Sequence, residues 1–570
     1  MPTLDWIGKA AVVNHHQQVP FHLLKDTPDR ACGDLGSGNL IIEGDNLVAL
    51  KALLPYYAGK VQCIYLDPPY NTGNEGWAYN DNVNSPIIRE WLGRVVGKEG
   101  DTLDRHDRWL CMMYPRLALL RDFLAPDGVL FVSIDDTELP LLRMVLDELF
   151  PHAQSKNRLA CFVWETDGNF DNQAKIKIAH EYVLAYSRRF EDFPPPPVID
   201  ASVDKGSKLY KAEIRNTIVK NGPKNPVSGI ELPAGFPADF EAGTIPARTS
   251  KWPHYAADVK VADGKVVRPA IAESGWSSKD ICLDFIKAGF KAVKDSKGQL
   301  TRFVITRTGA IEAIKVRSAS QSHVISVIRD VGSTQSMSES LKEMGIKFTF
   351  PKPVGLISYL VSMVADKSAL VLDSFAGSGT TAHAVLALNQ QDGGDRKFIL
   401  IQMPHESEQK AGEDRNIARD ITATRVRNVV EGYTTVKGEE VAGLGGGFRF
   451  CELAEPLFDE SGKIRDSVRF AELARHVYFT ETGEPLPRER VTKSPLIGQW
   501  QGRGLYLLYN GILGDKTPNG GNILTRAVLA QLPPFDGPRV IYCAGCLIGP
   551  DRLKAERIVV HQTPYQIKIS

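Results

Sequence analysis

The sequence lacks the features that mark several special classes of protein. Its 570 residues include eight cysteines, most of them isolated in the chain, so we expect a reducing compartment and no disulfide framework. No apolar run approaches the roughly 18 residues of a membrane span, and the start, Met1 to Asp5, has no signal-peptide pattern. We therefore predict a cytoplasmic protein that does not enter a membrane.

An excess of charge of one sign is also lacking. Lysine plus arginine and aspartate plus glutamate each total 68, so the formal net charge is zero. The balance indicates no particular partner, because a long chain can still carry a locally basic surface that binds nucleic acid. With 43% hydrophobic residues, the chain can supply the cores of several domains.

Two motifs of nucleotide and metal chemistry are missing. No Gly-x-x-x-x-Gly-Lys-Ser/Thr segment occurs, so we expect no ATP hydrolysis by this chain. Cys543 and Cys546 form one Cys-x-x-Cys, followed nearby only by His561. Zinc usually needs four ligands, so we predict ordinary cysteines and no metal site.

One short motif does point to chemistry. The apolar run from Val61 to Leu66 predicts a buried parallel strand, which the prolines of the following Asp67-Pro68-Pro69-Tyr70 end. Asp67 and the Pro68 carbonyl can each accept one N–H of an amino group on a flat ring, and Tyr70 can stack on that ring. The alternative is an ordinary proline-rich turn after a strand.

A second motif lies far along the chain, at residues 369–381. An apolar strand ending at Asp373 is followed by a glycine turn and by a helix that starts at Thr380 or Thr381. Glycines let the backbone approach a ligand, and a helix start offers free N–H groups. The turn, Gly377-Ser378-Gly379, lacks the full dinucleotide fingerprint, so a simple tight turn is the alternative.

Together the motifs resemble the β class of DNA amino-methyltransferases, which use S-adenosylmethionine. The order, with Asp-Pro-Pro-Tyr first and Phe-x-Gly-x-Gly second, is that of this class. Further segments are similar to type III modification subunits, and the resemblance covers about residues 38–435 with interruptions. These segments are 105–117, 131–136, 180–182 and 350–353.

The resemblance implies methyl transfer to N6 of an adenine flipped out of double-stranded DNA. It places Asp67, Pro68, Pro69 and Tyr70 at the catalytic site. It places these residues at the cofactor: Asp45, Lys352, Asp373, Phe375, Ala376, Gly377, Ser378, Gly379, Thr380 and Gln402. For Asp45 the alternative is a helix N-cap only. For Gln402, which would hold the cofactor ribose, the alternative is Glu406.

Strands that alternate with helices predict an α/β fold with a parallel sheet, and the resemblance implies a Rossmann-like methyltransferase sheet built from two chain-distant halves. We expect a long active-site loop at 71–100 and a flexible joint at 443–447. The predicted domains are an N-terminal arm (1–37), a catalytic half (38–194), a target-recognition module (195–345), a cofactor-binding half (346–435) and a small C-terminal α/β domain (436–570) for partner or dimer contacts.

The expected role is the modification subunit of a type III-like restriction-modification system. Its partners would be a separate helicase–nuclease subunit and a second copy of the chain. Two alternatives remain: a cytosine-N4 DNA methyltransferase, which would use the same pocket logic, and a non-catalytic DNA-recognition or assembly subunit. The segment His180-Glu181-Tyr182 is predicted to have a structural role at a strand start.

Overall fold

A computed structural model divides the chain into two compact units. The first comprises Met1–Ala201 and Val324–Ser570, and the second is Ser202–His323. Within the described residues, no helix combines the length and apolar character needed to cross a membrane. The described residues are 3–72, 90, 93–96, 104–166, 175–198, 203, 213–296, 298–316, 323–364, 366–404, 416–487, 494–515, 521–564 and 567.

The first unit contains a sheet of eleven strands within the described residues. In chain order they are β1 His22–Asp26, β2 Cys32–Gly33, β3 Leu40–Glu43, β4 Val61–Leu66, β5 Leu124–Ile134, β6 Arg158–Glu165, β7 His180–Ser187, β8 Val327–Ile328, β9 Leu370–Asp373, β10 Lys397–Gln402 and β11 Gly447–Pro456.

The centre of this sheet is parallel and joins two distant parts of the chain. Its order is β1-β11-β3-β10-β9-β4-β5-β7-β6-β8, with β2 paired to β11. Strands from β11 to β5 in this order are parallel, whereas β7 runs antiparallel to both β5 and β6. Strand β9 therefore lies against β4 from the other half, and the predicted α/β sheet built from two chain-distant halves is confirmed.

Apolar residues on both faces explain why the central strands form. In β4, Ile64 and Leu66 belong to one hydrophobic cluster, while Cys63 and Tyr65 belong to the other, as expected for a parallel sheet covered on both sides. The principal helices associated with this sheet are Asn46–Tyr57, Arg105–Phe123, Leu139–Leu149, Val354–Ser362, Thr380–Asp392 and Thr424–Glu431.

Strand β11 departs from the sequence-based domain plan. The plan placed an arm at 1–37 and a separate domain from 436, but β1 pairs with β11, and β11 pairs with β3 in the main sheet. The predicted joint at 443–447 leads directly into this strand. A Cβ atom at Gly447 would lie 2.1 Å from the Asp34 amide nitrogen, so glycine permits close packing of backbones here.

Beyond β11, the chain forms a further α/β segment. Its main described elements are helices Phe470–Thr482, Arg526–Gln531 and Pro550–Ala555, and strands Leu496–Trp500, Arg503–Leu507, Arg539–Cys543 and Ile558–Gln562. These four strands form one sheet in this order. The apolar runs of the sequence predict strands near 504–509, 539–543 and 557–560, and the structure confirms a strand at each place.

The second unit has its own core, formed by short strands around Phe236, Phe285 and Phe303. It is smaller than the predicted module at 195–345, because β8 pairs with β6 in the first unit. Its elements are strands Glu213–Thr217, Ser228–Leu232, Gly243–Ile245, Val259–Ala262, Lys265–Val266, Ala270–Ser274, Val293–Lys294, Leu300–Ile305 and Ile311–Val316, and helix Lys279–Lys287.

Candidate active site

The two sequence motifs lie side by side at one edge of the main sheet. Strand β4 ends at Leu66, immediately before Asp67, and the neighbouring parallel strand β9 ends at Asp373. Ligands of open α/β sheets bind at such carboxyl ends, where the order of strands reverses. A cleft here is lined by Tyr65, Asp67, Phe348, Phe350, Pro351, Lys352, Asp373, Phe375, Ala376, Gly377, Ser378, Thr380 and Thr381.

The Asp-Pro-Pro-Tyr turn is held from behind by buried groups. The indole nitrogen of Trp109 donates to the Pro69 carbonyl at 2.6 Å. The next residue, Asn71, has a positive φ of 59° and donates from its side chain to the carboxylate of Glu138, which is completely buried. These contacts hold the backbone on both sides of Tyr70. Most of the loop expected at 71–100 lies outside the described residues.

Four side chains form a polar cluster beside the cleft, which Asp67 and Lys352 line. The Lys352 ammonium lies 3.2 Å from Asp67 Oδ1 and 2.9 Å from Glu181 Oε2. The Tyr70 hydroxyl donates to the same Glu181 oxygen at 2.8 Å. The ammonium also lies 4.7 Å from the centre of the Tyr70 ring and 5.8 Å from that of Trp164. Lys352, expected at the cofactor, therefore directly contacts the residue expected at the target amine.

Burial and charge oppose each other in this cluster. Burial raises the pKa of Asp67, and the neighbouring Lys352 ammonium lowers it in part. Burial alone would lower the pKa of Lys352, but the Asp67 and Glu181 carboxylates raise it above its ordinary value. Lysine is thus held in its charged form between two carboxylates, in a place where only 5% of its side chain is exposed.

The glycine turn after β9 is built around Asp373. One oxygen of Asp373 accepts from the Phe375 amide at 3.0 Å, and the other accepts from the Thr381 hydroxyl at 2.6 Å. Gly377 and Gly379 have φ values of 50° and 80°, which side chains rarely adopt. The turn therefore needs glycine at both positions and leads directly into helix Thr380–Asp392.

Gln402, the expected ribose ligand, contacts this turn. Its amide oxygen accepts the Gly377 N–H at 2.8 Å, so the residue fastens the end of β10 to the glycine backbone. A direct contact with a ribose stays a prediction. The alternative residue, Glu406, lies outside the described residues.

Asp45 caps helix Asn46–Tyr57, as the N-cap reading predicted, by accepting from the Val48 amide at 3.1 Å. Its other oxygen lies 3.1 Å from the buried Arg116 guanidinium. Asn46 joins the same network and donates to the Ser374 carbonyl at 3.1 Å. The network links Asp45 to the end of β9, while its expected contact with a cofactor stays a prediction.

Glu181 and Arg425 contribute to this site, although the sequence predicted no role there for either residue. The His-Glu-Tyr segment gave a signal, but was assigned a structural role at a strand start. The fully buried Arg425 donates to the Ser378 and Thr380 hydroxyls at 2.7 and 2.8 Å. Arginines on its helix were visible in the sequence, but nothing there showed that this one points inward.

Comparison with known proteins identifies the family to which the chain belongs. Residues 61–413 match a family model of N6/N4 methyltransferases described as DNA methylase. The chain belongs to this family of DNA methylases. The chain is 32% identical over 429 residues to the EcoPI Mod subunit of a type III restriction-modification enzyme from Escherichia phage P1. The alignment covers 70% of this chain and 63% of that subunit.

Two further relatives extend the comparison. The EcoP15I Mod subunit of Escherichia coli is 28% identical over 460 residues, covering 74% of this chain and 68% of that one. The type II methyltransferase M.KpnI of Klebsiella pneumoniae is 28% identical over 425 residues, covering 70% and 89%. The matched region thus spans slightly less than two thirds of the EcoPI subunit and most of M.KpnI.

Proposed function

We propose that this chain is a site-specific DNA methyltransferase that transfers a methyl group from S-adenosylmethionine to N6 of adenine in duplex DNA. The observation that carries the proposal is the placement of Asp67 and Tyr70 beside the Asp373 glycine turn, at the carboxyl ends of two adjacent strands. The chain belongs to a DNA methylase family, and Asp67 lines the same cleft as the glycine turn, so the groups proposed for the target amine and for the cofactor lie side by side.

The target amine needs acceptors because its lone pair is delocalised into the ring. Asp67 and the Pro68 carbonyl would accept its two N–H groups, which lets the nitrogen become more tetrahedral and localises the lone pair. The Tyr70 ring would hold the plane of the base. Extruding the base from the duplex costs a few kcal/mol, and fixing it in line with the methyl donor supplies much of the rate enhancement.

The residues around the glycine turn fit the cofactor. Positive φ angles at Gly377 and Gly379 let the backbone approach a ligand, and the adjoining helix start favours its carboxylate. The Ser374 hydroxyl is buried beside the turn and, among the described residues, has no hydrogen-bond partner. Bound there, S-adenosylmethionine would supply an electrophilic methyl group. The residues proposed to hold it are Asp45, Lys352, Asp373, Phe375, Ala376, Gly377, Ser378, Gly379, Thr380 and Gln402.

The second unit is proposed to read the DNA sequence. It carries exposed basic side chains such as Lys251, Arg268 and Arg307, which suit phosphate contacts. Trp252 is 41% exposed and stacks on His254 with 3.6 Å between ring centres. Since both motifs of the first unit are assigned to cofactor and target base, a separate reader of neighbouring base pairs is required.

We further propose that the chain is the modification subunit of a type III-like restriction-modification system. The Mod names of EcoPI and EcoP15I support this role. A separate helicase–nuclease subunit would then supply restriction, and a second copy of the chain would form a homodimer. The C-terminal segment beyond β11 is the proposed surface for these partners.

A methyl-transfer assay tests the function. The purified chain is incubated with mixed-sequence duplex DNA and S-adenosylmethionine carrying a labelled methyl group, and the DNA is hydrolysed to nucleosides. We expect label in N6-methyladenine and none with Asp67→Ala. Label in N4-methylcytosine would support the cytosine alternative, which uses the same pocket chemistry. Absence of label under conditions where DNA binds would support the non-catalytic alternative.

A further inference from the structure

Lys352 makes the contacts that the proposed function assigns to the target base. Its ammonium lies 3.2 Å from Asp67 Oδ1 and faces the Tyr70 ring at 4.7 Å from the ring centre. Asp67 is the proposed acceptor for the target amine, and the Tyr70 ring is its proposed stacking surface. A base amine that bound this oxygen of Asp67, on this face of the Tyr70 ring, would compete with the ammonium for the same place, so we expect the lysine to leave Asp67 when the base enters.

Only the side chain of Lys352 has to move for this exchange. The Lys352 carbonyl accepts from the Thr380 hydroxyl at 3.1 Å, which fixes its backbone to the start of the helix after the glycine turn. Glu181 Oε2 lies 2.9 Å from the ammonium and is a second carboxylate partner beside Asp67. The lysine can therefore release one carboxylate while it keeps the other.

The charges explain when this release becomes favourable. In the structure, one ammonium forms ion pairs with two carboxylates in a buried cluster. A second cation in the adjoining cleft, which Asp67 and Lys352 both line, would repel the ammonium and favour its contact with Glu181 over its contact with Asp67. Such interactions are strong where little water screens them.

We propose that Lys352 is a positioning residue that closes the target-base pocket until a cation enters the cofactor cleft, and that Glu181 then retains the displaced ammonium. This inference rests on the proposed function. It predicts that base capture depends on the charge of the bound cofactor and not merely on its presence. The cofactor and the target base would then bind with positive coupling through Lys352.

The experiment compares two cofactor analogues that transfer no methyl group. Sinefungin carries an amine cation where the methyl donor has its sulfonium, whereas S-adenosylhomocysteine has a neutral sulfur. Each is bound at saturation to the full-length chain, and a duplex with 2-aminopurine in the mapped target position is titrated. Fluorescence reports base capture. We expect about tenfold tighter capture with sinefungin, within the usual range of coupling between sites.

Three variants test whether Lys352 is responsible for the coupling between the cofactor and the target base. Lys352→Met should reduce the ratio of base-capture affinities with the two analogues to about one. Glu181→Gln should weaken base capture with both analogues, because the ammonium then stays on Asp67. Lys437→Met, which removes an exposed lysine paired with Glu343, should keep the wild-type ratio. Thermal unfolding of each variant checks its fold.

The wild-type comparison is decisive even if Lys352→Met fails to fold. Equal capture of the base with both analogues would overturn the proposal while leaving the methyltransferase function intact. A folded Lys352→Met that keeps the wild-type ratio would overturn it as well. Absence of base capture with either analogue, together with absence of methyl transfer, would instead contradict the proposed function on which the inference rests.

Discussion

Gln402 and Gly377 are joined by a hydrogen bond in which the side-chain oxygen of Gln402 accepts the glycine N–H at 2.8 Å. The bond connects the ends of β10 and β9, two adjacent strands of the sheet. Gln402, which is predicted to contact the ribose, therefore holds the backbone of the turn that would surround the cofactor. Loss of this hydrogen bond should therefore change cofactor binding by loosening the turn.

Replacing Gln402 with Leu should weaken cofactor binding by about fivefold. The change removes the acceptor for the Gly377 N–H, and one net hydrogen bond is worth about 1 kcal/mol. Calorimetry with S-adenosylmethionine measures the affinity. Gln402→Glu keeps an acceptor and is the matched control, expected to bind nearly as the wild type does. Equal weakening in both variants would point to a direct ligand contact of the amide NH₂.

Replacing Gly379 with Ala should lower stability and cofactor affinity together. Its φ of 80° costs a side chain roughly 1–2 kcal/mol, and the new methyl group would lie 3.2 Å from Val426 and 3.3 Å from Thr422. Denaturant unfolding and calorimetry are the measurements. Gly393→Ala is the control, because it shares a positive φ of 66° but meets nothing within 4 Å. Similar losses in both would show that the contacts around Gly379 are unimportant.

Replacing Asp67 with Ala should abolish methyl transfer and leave cofactor affinity within about threefold of wild type, a difference near the 0.6 kcal/mol of thermal energy. The reason is that Asp67 is proposed to accept from the target amine. The measurements are turnover on duplex DNA and calorimetry with the cofactor. Near-normal turnover of the variant would contradict the proposed mechanism.

Two variants of Tyr70 separate the effect of its ring from the effect of its hydroxyl. Tyr70→Ala should weaken base capture, since stacking on an aromatic ring is worth about 1–3 kcal/mol per base. Tyr70→Phe loses only the hydrogen bond to Glu181 and should retain most of the capture. Fluorescence of 2-aminopurine at the target position measures both. If Tyr70→Phe lost as much as Tyr70→Ala, the ring would have no stacking role.

The buried Asp373 predicts a pH dependence of stability. Burial raises its pKa from an ordinary 3.8 to about 7, so between these values the folded protein binds the proton more tightly than the unfolded chain. The unfolding free energy from this group is therefore fully present below about pH 4 and is lost as pH rises through 7. Asp373→Asn should remove that part of the slope in denaturant unfolding. An unchanged difference between wild type and variant across this window would refute it.

The sequence was sufficient for elements with a strong local pattern. Strand β4 and helix Thr380–Asp392 appear as expected, because a continuous apolar run and a helix start after a glycine turn are local features. It was insufficient for β11, whose place depends on pairing with β1 and β3, far away along the chain.

The same difference between local and long-range features applies to the site. The contents of the two motifs could be read from their residues, but the contacts of Lys352 and Glu181 depend on side chains from distant segments meeting at one edge of the sheet. The inward direction of Arg425 likewise depends on packing against the glycine turn. Such contacts follow from tertiary structure and leave no periodic signal in the sequence.

Sequencing of modified bases in DNA from cells that express this chain alone, with Asp67→Ala as control, tests the proposed methyl transfer most directly. We expect N6-methyladenine at one defined sequence, in the wild-type sample only. N4-methylcytosine at a defined site would show that the target base is wrong. DNA identical in the two samples, with both proteins folded and present, would contradict the assignment of a methyltransferase.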